Sequence, residues 1–251
     1  MRKVVFGRQD ACPPNDTPSA YQGPKNPYYS KDEAKIITIS HLPHISERQK
    51  IYAVTFRLHD SLPQHIVMSY MQECEKIFGE DTLSFKTKRD TMLHKKMMEL
   101  MDAGYGECIL KEKSVRHIIE DTFEHIDNKM VSVHAYVIMP NHVHAVLETL
   151  GETNIQQVIH TLKSYSALRI NKYMNRNGCV WQRDYYDRII RNDTHYANAI
   201  NYINNNPRYC LPGEYTLSLG GELKGVSGNL VGISINLCKS IQKELFINDT
   251  P

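Results

Sequence analysis

Apolar and polar residues alternate in some stretches of this chain and recur at helical spacing in others. Residues 51–58, IYAVTFRL, alternate in the manner of a core strand. Helical patterns follow over residues 63–78 and 89–101, and apolar residues at 115, 118, 119 and 123 predict an amphipathic helix over 112–125. The first half of the chain therefore predicts one strand followed by helices.

Residues 132–149, SVHAYVIMPNHVHAVLET, contain two apolar runs separated by Pro140 and Asn141. β-Branched and aromatic residues fill the runs, and Pro-Asn is typical of a turn, so we predict two strands joined by a tight turn. Because side chains alternate between the faces of a strand, His142, His144 and Val146 share one face. Two imidazoles therefore project side by side from the second strand.

The second half of the chain contains two helical patterns with a strand-like segment between them. A helical pattern begins at Asn154 and extends to about Met174, with Gly178 as its terminator, and residues 180–191 resemble a hairpin. A last core helix, capped by Asp193 or Thr194, ends before Pro207. This order of elements predicts an α+β fold, a ferredoxin-like (RRM-like) sandwich with a central antiparallel sheet and helices on its faces.

Length and composition suit one core domain. The chain has 251 residues, of which 41% are hydrophobic. We place the domain at residues 47–210, between a proline-rich N-terminal arm (1–46) and a C-terminal extension (211–251). The six cysteines are scattered, which argues against a zinc ribbon or a disulfide scaffold. The chain lacks an apolar run of membrane-spanning length or a signal peptide, so we expect a cytoplasmic protein without a membrane partner.

Positive charge is concentrated in one segment. The net charge of the chain is only +2, but residues 163–191 hold seven basic and two acidic side chains, interleaved with aromatic residues. Basic groups neutralise phosphates and aromatic rings stack on unpaired bases, so this segment is a candidate DNA-binding surface. A solvated helix face with core aromatics is the alternative. The candidate residues are Lys163, Arg169, Lys172, Arg176, Trp181, Arg183, Arg188 and Arg191.

Four residues are candidates for catalysis. Neutral imidazole is a common metal ligand, so His142 and His144 suit one divalent ion. In the last helix Tyr202 and Asn206 stand at i, i+4 and share one face. A tyrosine hydroxyl can be a covalent nucleophile, and an Asn oxygen can bind Mg²⁺ or Mn²⁺. The pattern leaves open that Tyr202 packs on the sheet and that Asn206 merely ends the helix.

Four motifs in this order resemble those of a known family. PNHVHAVL, KSYSALRINKY, VWQRDYYDRIIR and HYANAINYINNNP are similar to segments of the REP-associated tyrosine transposases, which are single-tyrosine members of the HUH endonuclease superfamily within the IS200-like transposases. The resemblance covers about two thirds of the chain, residues 48–209. Its specificity lies in the combination of PNHVH with YINNNP.

The resemblance implies a role for each candidate. His142 and His144 match the paired metal ligands, Tyr202 matches the nucleophile, and Asn206 stands where relatives often place a glutamine ligand. The implied activity is cleavage and rejoining of single-stranded DNA near hairpin sequences through a 5′-phosphotyrosine, with Mg²⁺ or Mn²⁺. The implied partner is single-stranded or hairpin DNA, and relatives include both monomers and homodimers.

Other functions fit the sequence less well. A non-catalytic DNA-binding descendant of such a transposase is the main alternative, although it has no need of both histidines and the tyrosine. A nucleotide hydrolase with three histidines on one strand is disfavoured because Val146 stands at the third position. A His-x-His-x-Asp-His hydrolase is disfavoured because residues 145–147 offer no further ligand.

Overall fold

The alternating and helical patterns become strands and helices close to the expected bounds. The computed structural model describes residues 28, 35–39, 42–78, 92 and 95–220. The strands are β1 (Lys35–Ile39), β2 (Leu42–Ser46), β3 (Ile51–Arg57), β4 (Val131–Ile138), β5 (His142–Thr149), β6 (Tyr186–Ile189) and β7 (Thr216–Leu219). The helices are α1 (Gln64–Phe78), α2 (Lys113–Ile126), α3 (Ile155–Tyr173) and α4 (Asp193–Asn205). Residues 95–102 are also helical, and short 3₁₀ helices lie at Ile109–Lys111 and Asn206–Tyr209.

The main sheet is antiparallel throughout. Within the described ranges it has five strands in the order β6-β3-β5-β4-β7. The strands β3, β4, β5 and β6, with α2 and α3 between them, have the order of a β-α-β-β-α-β ferredoxin-like unit. The predicted α+β sandwich is therefore confirmed.

Helices cover the two faces of this sheet unequally. Alternate side chains of β3 and β5, such as Val54 and Val143, pack with α2 and α3 in the larger apolar core. The opposite side chains, such as Val146, pack with Tyr196 and Ile203 of α4 in a smaller core. The period-two pattern of each strand thus divides its side chains between two cores, and β5 directs its histidines towards α4.

Side-chain caps begin the two longer C-terminal helices. Asn154 and Gln157 form a capping box at the start of α3, where each side chain bonds the backbone N–H of the other residue. The side chain of Asn192 accepts a hydrogen bond from His195 N at the start of α4. The cap of α4 is therefore Asn192 rather than the predicted Asp193 or Thr194.

Long-range pairing differs from the sequence prediction in three places. The hairpin expected over 180–191 is wrong, because β6 pairs with β3 instead of with a neighbouring strand. In the predicted N-terminal arm, β1 and β2 form an antiparallel hairpin. In the predicted C-terminal extension, β7 pairs with β4, so the sheet continues past residue 210. Most of the predicted arm and extension lies outside the described residues.

Arg116 of α2 forms hydrogen bonds that hold the segment leading into β7. Its buried guanidinium donates hydrogen bonds to four oxygens, which are those of the Leu110, Lys111 and Gly213 carbonyls and the Thr216 hydroxyl. A buried charge is tolerated when its donors are satisfied in this way. In the described part of the chain, we find no helix with the length and apolarity needed to cross a membrane.

Candidate active site

Two histidines of β5 lie between the sheet and α4. The rings of His142 and His144 are buried, at 1% and 3% exposure. Their centroids are 4.7 Å apart, and the rings meet edge to face at 79°. The predicted placement of both imidazoles on one face of a strand agrees with this geometry.

The orientation of His142 is set by Asn141 in the turn before β5. The Asn141 amide nitrogen donates to the Met101 and Tyr105 carbonyls at 3.1 and 3.0 Å, so its oxygen must be the acceptor for His142 Nδ1 at 2.7 Å. The proton of His142 is therefore on Nδ1, and Nε2 carries a lone pair. Burial lowers the pKa of His142 to about 3, so the ring is neutral near pH 7.

The lone pair of His142 points into the site without a hydrogen-bond partner among the described residues. Nε2 is buried, and it lies 3.7 Å from Asp102 Oδ1, which is beyond hydrogen-bonding distance. A buried polar atom without a partner costs on the order of 1–3 kcal/mol. Such an atom is expected where a ligand completes the site.

The orientation of His144 is set by the neighbouring strand. Its Nδ1 lies 2.7 Å from the hydroxyl oxygen of Thr55, which is its register partner on β3. Its Nε2 lies 3.5 Å from the Tyr202 hydroxyl, and the two rings meet edge to face with centroids 5.0 Å apart. The helix α4 thus presents Tyr202 directly to His144.

The hydroxyl of Tyr202 is held in its protonated form. Its pKa is raised to about 12, chiefly by burial and also by the negative charge of Asp102, while a hydrogen bond from the Asn206 side chain opposes the shift. The side chain as a whole is 45% exposed, so one edge of the ring faces solvent while the hydroxyl faces His144. The phenol is accessible and needs to lose a proton before it can attack.

Asn206 completes the predicted set at the end of α4. Its side-chain oxygen is shielded from solvent and has no hydrogen-bond partner among the described residues. Across those residues, His, Cys, Asp and Glu side chains do not gather in threes to form a metal cluster. Oxygen atoms suit Mg²⁺ and Mn²⁺, and this region offers two: Asp102 Oδ1, 3.7 Å from His142 Nε2, and the Asn206 side-chain oxygen next to Tyr202.

Three polar residues of the site were not predicted. Asp102 raises the pKa of Tyr202 and lies just after the predicted 89–101 helix, where no periodic pattern marks it. Burial raises the pKa of Asp102, and the positive charge of Arg208 partly opposes that shift. For Asn141 the sequence predicts only a turn. Thr55 carried a weak signal, since it is a hydroxyl residue within an apolar strand.

The basic segment divides into several environments. Trp181 is 7% exposed, donates from its indole to the Ser166 hydroxyl at 2.9 Å and packs edge to face on Phe56. Its predicted role in stacking on DNA is therefore wrong, because the apolar ring belongs to the core. Lys163 also turns inward: its ammonium donates to the Arg183 carbonyl at 2.7 Å, and burial lowers its pKa to about 8.

Two of the predicted DNA-binding cations form ion pairs. Arg169 pairs with Asp121 at 2.7 Å, and Arg176 pairs with Glu107 at 2.8 Å. The sequence could not show this, since the acidic partners belong to other elements. The remaining predicted cations have exposed side chains, and they are Lys172, Arg183, Arg188 and Arg191.

Comparisons with known proteins bear on this arrangement. An uncharacterized protein of Haemophilus influenzae is 30% identical over 98 residues, which cover 31% of this chain and 54% of that protein. The chain thus spans about half the length of that relative. A solved structure of a REP-associated tyrosine transposase bound to a REP hairpin aligns with a TM-score of 0.40 and 14% identity, over 68% of this chain and 74% of that one.

The family comparison covers the site itself. Residues 103–206 match the family model described as IS200-like transposase. This segment includes α2, α3 and α4, the two histidines of β5, Tyr202 and Asn206. The segment that carries the site is therefore similar to the IS200-like transposases.

Proposed function

We propose that this protein cleaves and rejoins single-stranded DNA near hairpin sequences, with Tyr202 as the nucleophile and Mg²⁺ or Mn²⁺ as the cofactor. The observation that carries the proposal is the approach of the Tyr202 hydroxyl to His144 Nε2, at 3.5 Å, beside the buried His142. The family match supports a transposase role for the same segment. The nucleophile and the metal ligands are our assignment.

Three atoms of the chain suit the metal. His142 Nε2 and the Asn206 side-chain oxygen are shielded from solvent and lack hydrogen-bond partners among the described residues, and His144 Nε2 faces the Tyr202 hydroxyl. Asn141 and Thr55 hold the two rings through their Nδ1 atoms, as is usual for metal-binding histidines. When bound, a divalent ion would polarise the scissile phosphate and offset the negative charge that develops on it.

Tyr202 would supply the covalent step. Its oxygen attacks the scissile phosphorus, a tyrosine–phosphate bond forms, and the bond to the 3′ oxygen of the departing strand breaks. The phenol proton passes to solvent, and the departing oxygen takes up a proton as a 3′-hydroxyl. The products are a 5′-phosphotyrosine and a strand with a free 3′ end.

The same site can rejoin strands. One phosphodiester is exchanged for another, so the energy of the broken bond is kept in the phosphotyrosine and the step needs no nucleotide. Attack by a 3′-hydroxyl on the phosphotyrosine reverses the reaction and releases Tyr202. Cleavage and strand transfer therefore require one nucleophile held in one place.

The test is detection of a covalent adduct. Purified protein is mixed with Mg²⁺ or Mn²⁺ and a 3′-labelled single-stranded hairpin taken from repeats that flank its gene, and the products are separated under denaturing conditions. Wild type should give a labelled protein band with metal and lose it with EDTA. Tyr202→Phe and the double variant His142→Ala, His144→Ala should give no band.

A second tyrosine provides the matched control. Tyr173 is an exposed tyrosine of α3, on the other side of the sheet, and Tyr173→Phe should form the adduct as wild type does. If wild type binds the hairpin without forming an adduct under any metal condition, the catalytic proposal is wrong. The non-catalytic DNA-binding descendant then becomes the better description.

A further inference from the structure

The face of the sheet that carries the site is only partly covered by α4. This helix packs mainly on β4, β5 and β7. Of β3, Ile51 joins the core beneath α4, and Ala53 packs at its edge. Beyond them, Thr55 and Arg57 of β3 and Tyr186 and Arg188 of β6 share the same face, and we refer to these four residues as the open strip.

Burial along the two strands shows the contrast between the faces. On β3, Val54 and Phe56 are buried under α2 and α3, whereas Thr55 and Arg57 on the opposite face are partly exposed. On β6, Ile189 is buried, Tyr186 and Asp187 are partly exposed and Arg188 is exposed. Among the described residues, the open strip is thus the accessible side of β3, and on β6 it carries the most exposed residue.

Strand register connects the open strip to the site. Thr55 pairs with His144 on one side and with Tyr186 on the other. Neighbouring strands lie about 4.8 Å apart, so Tyr186 lies roughly 10 Å from the backbone of His144. Arg188 stands two residues further along β6, on the same face. The open strip therefore runs outward from His144 and Tyr202 to the edge of the sheet.

The chemistry of the open strip suits a single nucleic-acid strand. Tyr186 offers a partly exposed aromatic ring, and Arg188 offers an exposed guanidinium. Arg191, three residues further along the chain, adds a second exposed basic side chain. The acidic Asp187 lies on the other face of β6, and Arg57 already donates to the Ser61 hydroxyl at 3.1 Å. Tyr186 and Arg188 are therefore the groups best suited to a base and a phosphate.

We propose that the open strip holds the single-stranded DNA that flanks the scissile phosphate, with a base stacked on Tyr186 and a backbone phosphate bound by Arg188. This inference rests on the proposed function and adds a path for the strand. The inference assigns DNA binding to Arg188 and not to Lys172. Both residues belong to the same basic segment, but Lys172 lies on α3, which covers the opposite face of the sheet. Stacking on an aromatic platform together with phosphate contacts is how single strands are commonly bound.

The experiment measures binding separately from cleavage. In a Tyr202→Phe background with EDTA, affinity for labelled oligo(dT) and for a hairpin with a single-stranded flank is followed by fluorescence anisotropy at several salt concentrations. Arg188→Gln should weaken binding and reduce the slope of log Kd against log salt by about 1. Tyr186→Leu should weaken binding roughly fivefold or more, while Tyr186→Phe should retain it.

Two lysine variants test which face of the sheet binds the DNA. Lys113→Gln removes an exposed charge at the start of α2 and should leave Kd unchanged. Lys172→Gln should have a smaller effect than Arg188→Gln. If Lys172→Gln weakens binding as much as Arg188→Gln does, or if Tyr186→Leu binds as wild type does, the open strip is not the path. Failure of the parent protein to bind either DNA also overturns the inference.

The two proposals fail in different ways. If binding depends on Tyr186 and Arg188 but the wild type forms no phosphotyrosine adduct, the open strip is the DNA-binding path and the catalytic proposal is wrong. If the wild type forms the adduct and the open-strip variants bind DNA normally, the open strip is not the DNA-binding path and the catalytic proposal stands.

Discussion

Replacing Asn141 by alanine removes three hydrogen bonds from a residue that is only 1% exposed. Its amide nitrogen donates to the Met101 and Tyr105 carbonyls, and its oxygen accepts from His142 Nδ1. The side chain thus connects the segment that carries Asp102 to the histidine strand. The variant should therefore both destabilise the fold and leave the His142 ring without the hydrogen bond that orients it.

The magnitude follows from counting those bonds. Each buried neutral hydrogen bond contributes about 1 kcal/mol, and an imidazole N–H left buried without an acceptor adds about 1–3 kcal/mol. The Met101 carbonyl keeps one partner, because it also accepts from Gly104 N at 3.0 Å. We expect Asn141→Ala to lower the free energy of unfolding by about 4 to 6 kcal/mol.

Asn141→Asp tests whether Asn141 matters for these side-chain hydrogen bonds or only for the turn. Aspartate is as acceptable as asparagine in turns, so a residue that only made the turn would tolerate the change. In the site, a carboxylate oxygen would instead face two carbonyl oxygens, and we expect a loss at least as large as that of Asn141→Ala. Urea unfolding at neutral pH without metal measures both, with the exposed Asn177→Ala as the matched control. Near wild-type stability of Asn141→Asp would refute the reasoning.

Three further predictions concern other buried side chains. The pKa of His142 is about 3 in the fold and about 6.5 unfolded, so only the unfolded state gains a proton as pH falls below about 6.5. Metal-free stability should therefore fall by about 2 kcal/mol between pH 7 and pH 5 through this group, a loss that His142→Asn should lack. Trp181 is the single tryptophan, so its fluorescence should be that of a buried indole and stay unchanged when DNA is added, while Trp181→Ala should cost about 3–5 kcal/mol. Arg116→Met removes four hydrogen bonds and should lower stability by about 3 kcal/mol or more and speed amide exchange in β7.

Each of these has a result that would contradict it. A pH profile shared by wild type and His142→Asn would show that this ring does not set the acid sensitivity. Quenching of Trp181 by DNA would place the indole at the nucleic-acid surface after all. Unchanged exchange of β7 in Arg116→Met would show that pairing with β4 alone holds that strand.

The sequence by itself determined the local structure. The period-two pattern placed His142 and His144 on one face of a strand, because side chains of a strand alternate whatever lies beside it. Helical spacing likewise located α2, α3 and α4 to within a residue or two, and put Tyr202 and Asn206 on one side of the last helix. These features depend on neighbours within a few positions, which the sequence lists in order.

Only the tertiary structure decided which residues meet across long separations. It brought Asp102 to His142, paired Arg169 and Arg176 with carboxylates from other elements, and buried Trp181 against Phe56. It also placed β6 beside β3, where the sequence indicated a local hairpin. Exposure and pairing of a charged or aromatic side chain depend on elements far away in the chain, so a basic, aromatic segment has the same pattern whether it faces DNA or the core.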